Sequence, residues 1–96
     1  MNKISEHDEK LLNLMFKRLL SFENKQVDLS ELVRSLESLL HSMKYVTEEW
    51  EEKFLNEFST LESINAEMPK MKKNEIEKLI EDAVSNLKKL IKEKLR

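Results

Sequence analysis

Two histidines, 19 carboxylates and no cysteine make up most of the reactive inventory of this 96-residue chain. His41 follows Glu37 by four positions, a spacing that on a helix puts an imidazole and a carboxylate on one face, as metal ligands sometimes are. Two ligands fall short of the three or four that a metal site needs, and the paired E-x-x-H motifs of carboxylate-bridged di-iron bundles are absent. Glu37 and His41 therefore read as an exposed polar pair, and we expect neither a metal nor any other cofactor. Serine catalysis would need a base oriented by a carboxylate and donors for an oxyanion. Neither His7 nor His41 stands in a recognisable motif with any serine, so no catalytic residue is assigned and the chain is expected not to be an enzyme. The absence of cysteine excludes disulfides, thiolate zinc sites and cysteine nucleophiles.

The chain has no glycine and a single proline, Pro69. Phosphate-cradling loops and tight β-hairpins depend on glycine at positive φ, so Walker loops, dinucleotide fingerprints and hairpin-rich sheets lose their usual means of construction. Leu, Lys, Glu and Met dominate instead, all good helix formers. What remains is an all-α chain, read as one domain over residues 1–96, a small bundle of about four antiparallel helices with short connections.

The helices that must carry any site are legible from caps and spacing. Ser5 with Asp8 three residues on resembles a capping box and opens a helix over 5–22, with Leu11, Leu12, Met15, Leu19 and Phe22 inward. Leu14, Phe16 and Leu20 widen its apolar stripe. ENKQV (Glu23 to Val27) is a polar break, and Asp28 with Glu31 gives a second capping signal for a helix over 28–44. Here Leu29, Leu32, Val33, Leu36, Leu39, Leu40 and Met43 form a buried stripe. Thr47 caps the third helix, 48–67, whose stretch WEEKFLNEFSTLESINA puts Trp50, Phe54, Phe58, Leu61 and Ala66 on roughly one side. This is the largest apolar mass of the chain and its expected centre. Pro69 ends it. Asn74 with Glu77 is a third capping signal, predicting a last helix over 75–95 with a stripe from Ile76 to Leu95.

The overall charge, 17 bases against 19 acids, is −2 and favours neither nucleic acid nor anionic membrane. Its distribution is less even: Thr47 to Glu67 holds seven Glu and one Lys for −6, and Met68 to Arg96 holds nine bases and five acids for +4. The lysines from Lys88 onward suit a helix C-terminus, and no stretch is apolar for the roughly 20 residues that a membrane span needs. With no secretory signal in MNKISEHDEK, the chain reads as soluble and cytoplasmic, without nucleic-acid or membrane partners. In the acidic segment, Glu48, Glu49 and Glu51 lie where a helix start favours negative charge. Glu52, Glu57, Glu62 and Glu67 lie further along, and part of a negative surface remains.

LSELVRSLESLL (Leu29 to Leu40), then W-x-x-x-F-x-x-x-F-x-x-L-E-x-x-x-A (Trp50 to Ala66), then EIEKLIEDAVSNLKKLI resembles a family of small all-helical bacterial proteins of the toxin-immunity type. The resemblance covers about Leu29 to Ile91. It departs at Phe58, where the family pattern often has a second Trp, and at Met68 to Lys73, which replaces a Gly-containing loop. It implies a protein that binds and neutralises a cognate secreted or contact-dependent toxin domain without turnover. If that domain is a basic nuclease, an acidic helical surface is the expected contact, with Glu48, Glu49, Glu52, Glu57 and Glu62 as its partner-binding residues. The rival expectation is a helical adaptor or homodimer joined through Leu14, Phe16, Leu20 and Leu55.

Overall fold

A computed structural model describes residues 5–67 and 72–95, and every helix predicted from the sequence is found there: α1 Glu6–Glu23, α2 Leu29–His41, α3 Glu48–Glu67 and α4 Lys73–Leu95. Among the described residues there is no strand. Each helix packs on its neighbours in chain order and α4 closes against α1, so α1 and α3 sit on one diagonal and α2 and α4 on the other. The pairings run antiparallel: the first turn of α1 meets the end of α2, Trp50 near the start of α3 meets Leu90 late in α4, and Phe16 and Glu23 of α1 meet Lys92 and Lys88 of α4 in reverse order. This is an up-down four-helix bundle.

Local chemistry explains the ends. Ser5 Oγ accepts from the Asp8 amide at 3.1 Å, Asp28 Oδ1 from the Glu31 amide at 2.8 Å, and Thr47 Oγ1 from the Trp50 amide at 3.2 Å. All three satisfy amides that a helix start leaves without partners. The end of α1 closes as a Schellman turn, with the Lys25 amide on the Phe22 carbonyl and the Gln26 amide on that of Ser21. That turn needs a left-handed residue, and Lys25 supplies it at φ 61° because the chain has no glycine. Left-handed geometry costs an L-residue about 1 kcal/mol, so Lys25→Gly should raise stability by up to about that much in urea unfolding. An unchanged or lower midpoint would show that this turn is not strained.

Three boundaries differ from the expectations. Helix α2 stops at His41 and not near residue 44, because the amides of Lys44 and Tyr45 are taken by Asp8 of α1 at 2.9 and 2.7 Å. Helix α4 begins at Lys73, where the Lys72 carbonyl already accepts from the Ile76 amide, so Asn74 lies inside the first turn and does not cap it. Ala66 is exposed, and Ile64 takes its place in the interior. A five-residue step from Leu61 turns the chain about 140° too far, whereas three residues bring it back to the same face. Pro69, the expected stop for α3, lies outside the described residues.

The core holds Leu12, Met15 and Leu19 of α1, Leu32, Val33, Leu36 and Leu40 of α2, Trp50, Phe54, Phe58 and Leu61 of α3, and Ala83 to Ile91 of α4 at helical spacing. Trp50 and Phe54 ring centroids stand 5.3 Å apart and Phe54 and Phe58 6.3 Å apart, an aromatic ladder along α3. Trp50 is 6% exposed, and its Nε1–H donates to the Leu90 carbonyl at 3.0 Å, so burying the indole leaves no donor orphaned.

The helices are unequal. At about 1.5 Å per residue, α4 with 23 residues is about 34 Å long and α2 with 13 about 20 Å. No described residue of α4 before Ala83 is buried, so the first turns of α4 are the least covered part of that helix.

Candidate partner-binding surface

Helix α3 turns its aromatic side inward, and its opposite side is therefore the surface that it can offer. Glu48 and Glu52, four residues apart, share that outer side with Leu55 and Ser59, and all four are exposed. Leu55, 40% exposed, lines a shallow depression of about 510 Å³ with Glu52, Lys53, Asn56 and Ser59. Glu49 lies one step round and pairs with Lys53 at 3.4 Å, an exposed i, i+4 contact that contributes no more than a few tenths of a kcal/mol. Glu48 and Glu52 have no ion-pair partner among the described residues.

Of the other two expected contact residues, Glu57 leaves this ridge and Glu62 extends it. Glu57 lies about 140° round the helix from Glu52, and its Oε1 accepts from Asn86 Nδ2 at 2.7 Å, tying α3 to α4. Glu62 is exposed, three residues beyond Ser59 and seven beyond Leu55, so it lies on the same outer side about two turns past Leu55. The structure thus keeps Glu48, Glu52 and, further along, Glu62 on the outer side, sets Glu49 beside it, and turns Glu57 to α4.

Sequence reading took Tyr45 only as part of a break. It is 70% exposed on the connection that leads directly into Glu48. Its backbone is held by Asp8, which is 1% exposed, and His7 Nε2–H donates to the Ser42 carbonyl at 2.8 Å in the same connection. An exposed tyrosine on a pinned backbone presents a large amphipathic surface at low entropic cost. No local signal reveals this, because the anchoring carboxylate is 37 residues away.

The four residues of the self-association reading do not form one face. Phe16 is half-buried against the core with Lys92 Nζ 5.4 Å above its ring, while Leu14 and Leu20 project about 120° apart on α1. Leu55 belongs to the diagonally opposite helix. Glu37 and His41 are both exposed, and among the described residues no three His, Cys, Asp or Glu lie close enough to hold a metal ion. No described helix is long and apolar enough to cross a membrane. Compared with family models, with curated proteins and with solved structures, the chain matches none of them.

Proposed function

We propose that this chain is a cytoplasmic, non-catalytic immunity protein that binds a cognate bacterial toxin domain and neutralises it by stoichiometric occupation. The observation that carries the reading is the outward ridge of α3, where the unpaired carboxylates of Glu48 and Glu52 flank Leu55 and follow the exposed Tyr45. A central apolar or aromatic contact ringed by charge is the usual anatomy of a protein interface. Against a basic nuclease domain, the carboxylates would speed encounter and compete with the nucleic acid for the same surface.

Co-expression with a toxin domain encoded beside this chain tests the reading. The unaltered protein should restore growth, and Glu48→Lys with Glu52→Lys should slow association about tenfold at low salt, with the difference shrinking as salt screens it. Both positions are exposed and both residue types are good helix formers, so the fold should survive, with a loss of up to about 1 kcal/mol from positive charge in the first turn of α3. Tyr45→Ala should act mainly by speeding dissociation. Protection by the double variant equal to that of the unaltered chain would remove the ridge from the contact, and no protection by the unaltered chain would remove the immunity reading.

A further inference from the structure

The sparse cover over the first turns of α4 leaves a second surface open. Along α4, Ile76 and Ile80 continue at steps of four the stripe that is buried from Ala83 and Val84 onward, but both are only half-buried, and Ile80 faces the connection from α1 to α2. Between α4 and the connection from α1 to α2 lies an open groove of about 970 Å³. Its apolar lining is Phe22, Val27 and Ile80, all half-buried, above the fully buried Val84. At a helix diameter of about 10–12 Å and 5.4 Å per turn, this is room for roughly two helical turns.

The rim is acidic. Five carboxylates line the groove against one lysine, a net of −4. Glu23 is satisfied by Lys88 at 2.7 Å, and Asp28 caps α2. Glu31, Glu77 and Glu81 have no ion-pair partner among the described residues. Glu77 and Glu81 are like charges at i, i+4, an arrangement that disfavours the helix by a few tenths of a kcal/mol, and no base among the described residues stands within ion-pair distance of either.

We propose that this groove is a docking site for a basic amphipathic helix of a partner protein, seated with its apolar side on the half-buried Phe22, Val27 and Ile80 and its Lys or Arg residues against Glu31, Glu77 and Glu81. A helix laid there covers the half-buried apolar lining, and its positive charge meets the unpaired carboxylates. A second copy of this chain is a poor occupant. Its most basic helix, α4, already buries its apolar side in its own core, and Lys92 lies over Phe16. The inference concerns a different face from the α3 ridge and does not rest on the toxin reading.

The probe is a synthetic helical peptide of about 14 residues, with Leu at 3.6-residue spacing and Lys elsewhere, added to the isotopically labelled full chain and followed by amide NMR. Saturable shifts should centre on Val27, Asp28, Ile80 and Glu81. Glu77→Lys with Glu81→Lys should weaken binding at least tenfold, while Glu48→Lys with Glu52→Lys on the α3 ridge should change it less than twofold. A peptide with serine in place of leucine, and one with glutamate in place of lysine, should each bind at least tenfold more weakly. The last two comparisons stand even if the groove variant fails to fold. Shifts centred on the α3 ridge, equal binding of the serine or glutamate peptide, or no saturable shift up to about 1 mM would overturn the proposal. So would concentration-dependent self-association that protects the same amides.

Discussion

Trp50→Ala should destabilise the chain by about 3–5 kcal/mol, the usual cost of deleting a large buried aromatic. The indole is 6% exposed, stands tilted at the head of the Trp50, Phe54, Phe58 ladder, and donates to the Leu90 carbonyl across the α3/α4 seam. Small domains hold only about 5–15 kcal/mol in total, and one of this size loses about 4–8 °C of melting temperature per kcal/mol. The variant should therefore melt at least about 12 °C lower, or not fold at 37 °C. Trp50→Phe separates the two contributions: it keeps most of the apolar area but removes the donor, and should cost about 1–2 kcal/mol. Thermal unfolding by circular dichroism reads both. A Trp50→Ala protein melting within a few degrees of the parent would mean that the indole is exposed in solution, and would make it a contact residue beside Tyr45.

The fold was legible where its causes are local. Ser5, Asp28 and Thr47 each meet an amide three residues on, so the cap and the helix start lie in one short window of sequence. The core was legible because apolar side chains at steps of three and four must share a side. Asn74 shows the limit: it has the residue type and spacing of a cap, yet the Lys72 carbonyl accepts the first helical bond upstream of it. Ala66 shows another, since a single five-residue step is enough to leave the stripe.

The surface was less legible, because a face is a property of assembled helices. Seven glutamates from Glu48 to Glu67 look like one acidic segment in sequence. On the helix, Glu57 turns to Asn86 and Glu49 to Lys53, while Glu48, Glu52 and Glu62 keep to the outer side without ion-pair partners among the described residues. The groove beside Ile80 depends on the sparse cover over the first turns of α4, and on carboxylates from α1, α2 and α4 that are up to 58 positions apart, from Glu23 to Glu81. Neither Glu77 nor Glu81 stands out until the α1/α2 turn is set opposite them.

Asp8→Ala should cost about 2–4 kcal/mol, with its largest local effect at residues 44 and 45. The Asp8 carboxylate is 1% exposed and each of its oxygens accepts one backbone amide, Oδ1 from Lys44 at 2.9 Å and Oδ2 from Tyr45 at 2.7 Å. Bonds to a charged acceptor contribute about 1.5–3 kcal/mol each and are not additive, and the alanine variant leaves two part-buried amides without a partner. The first turn of α1 complicates the reading, because an acid there also gains up to about 1 kcal/mol from the helix dipole. Glu9→Ala controls for this: Glu9 stands in the same turn but is exposed, so it should lose only the dipole contribution. Hydrogen exchange then distinguishes a latch from a general weakening. In Asp8→Ala the Lys44 and Tyr45 amides should exchange far faster than the drop in global stability explains, while the Glu31 amide at the opposite end stays protected by its Asp28 cap. If the connection is held this way in order to present Tyr45, the same variant should weaken partner binding even at temperatures where the bundle is fully folded, because the tyrosine must then be ordered on binding. Equal stability losses from Asp8→Ala and Glu9→Ala would reduce Asp8 to a dipole residue and leave the position of Tyr45 without a cause.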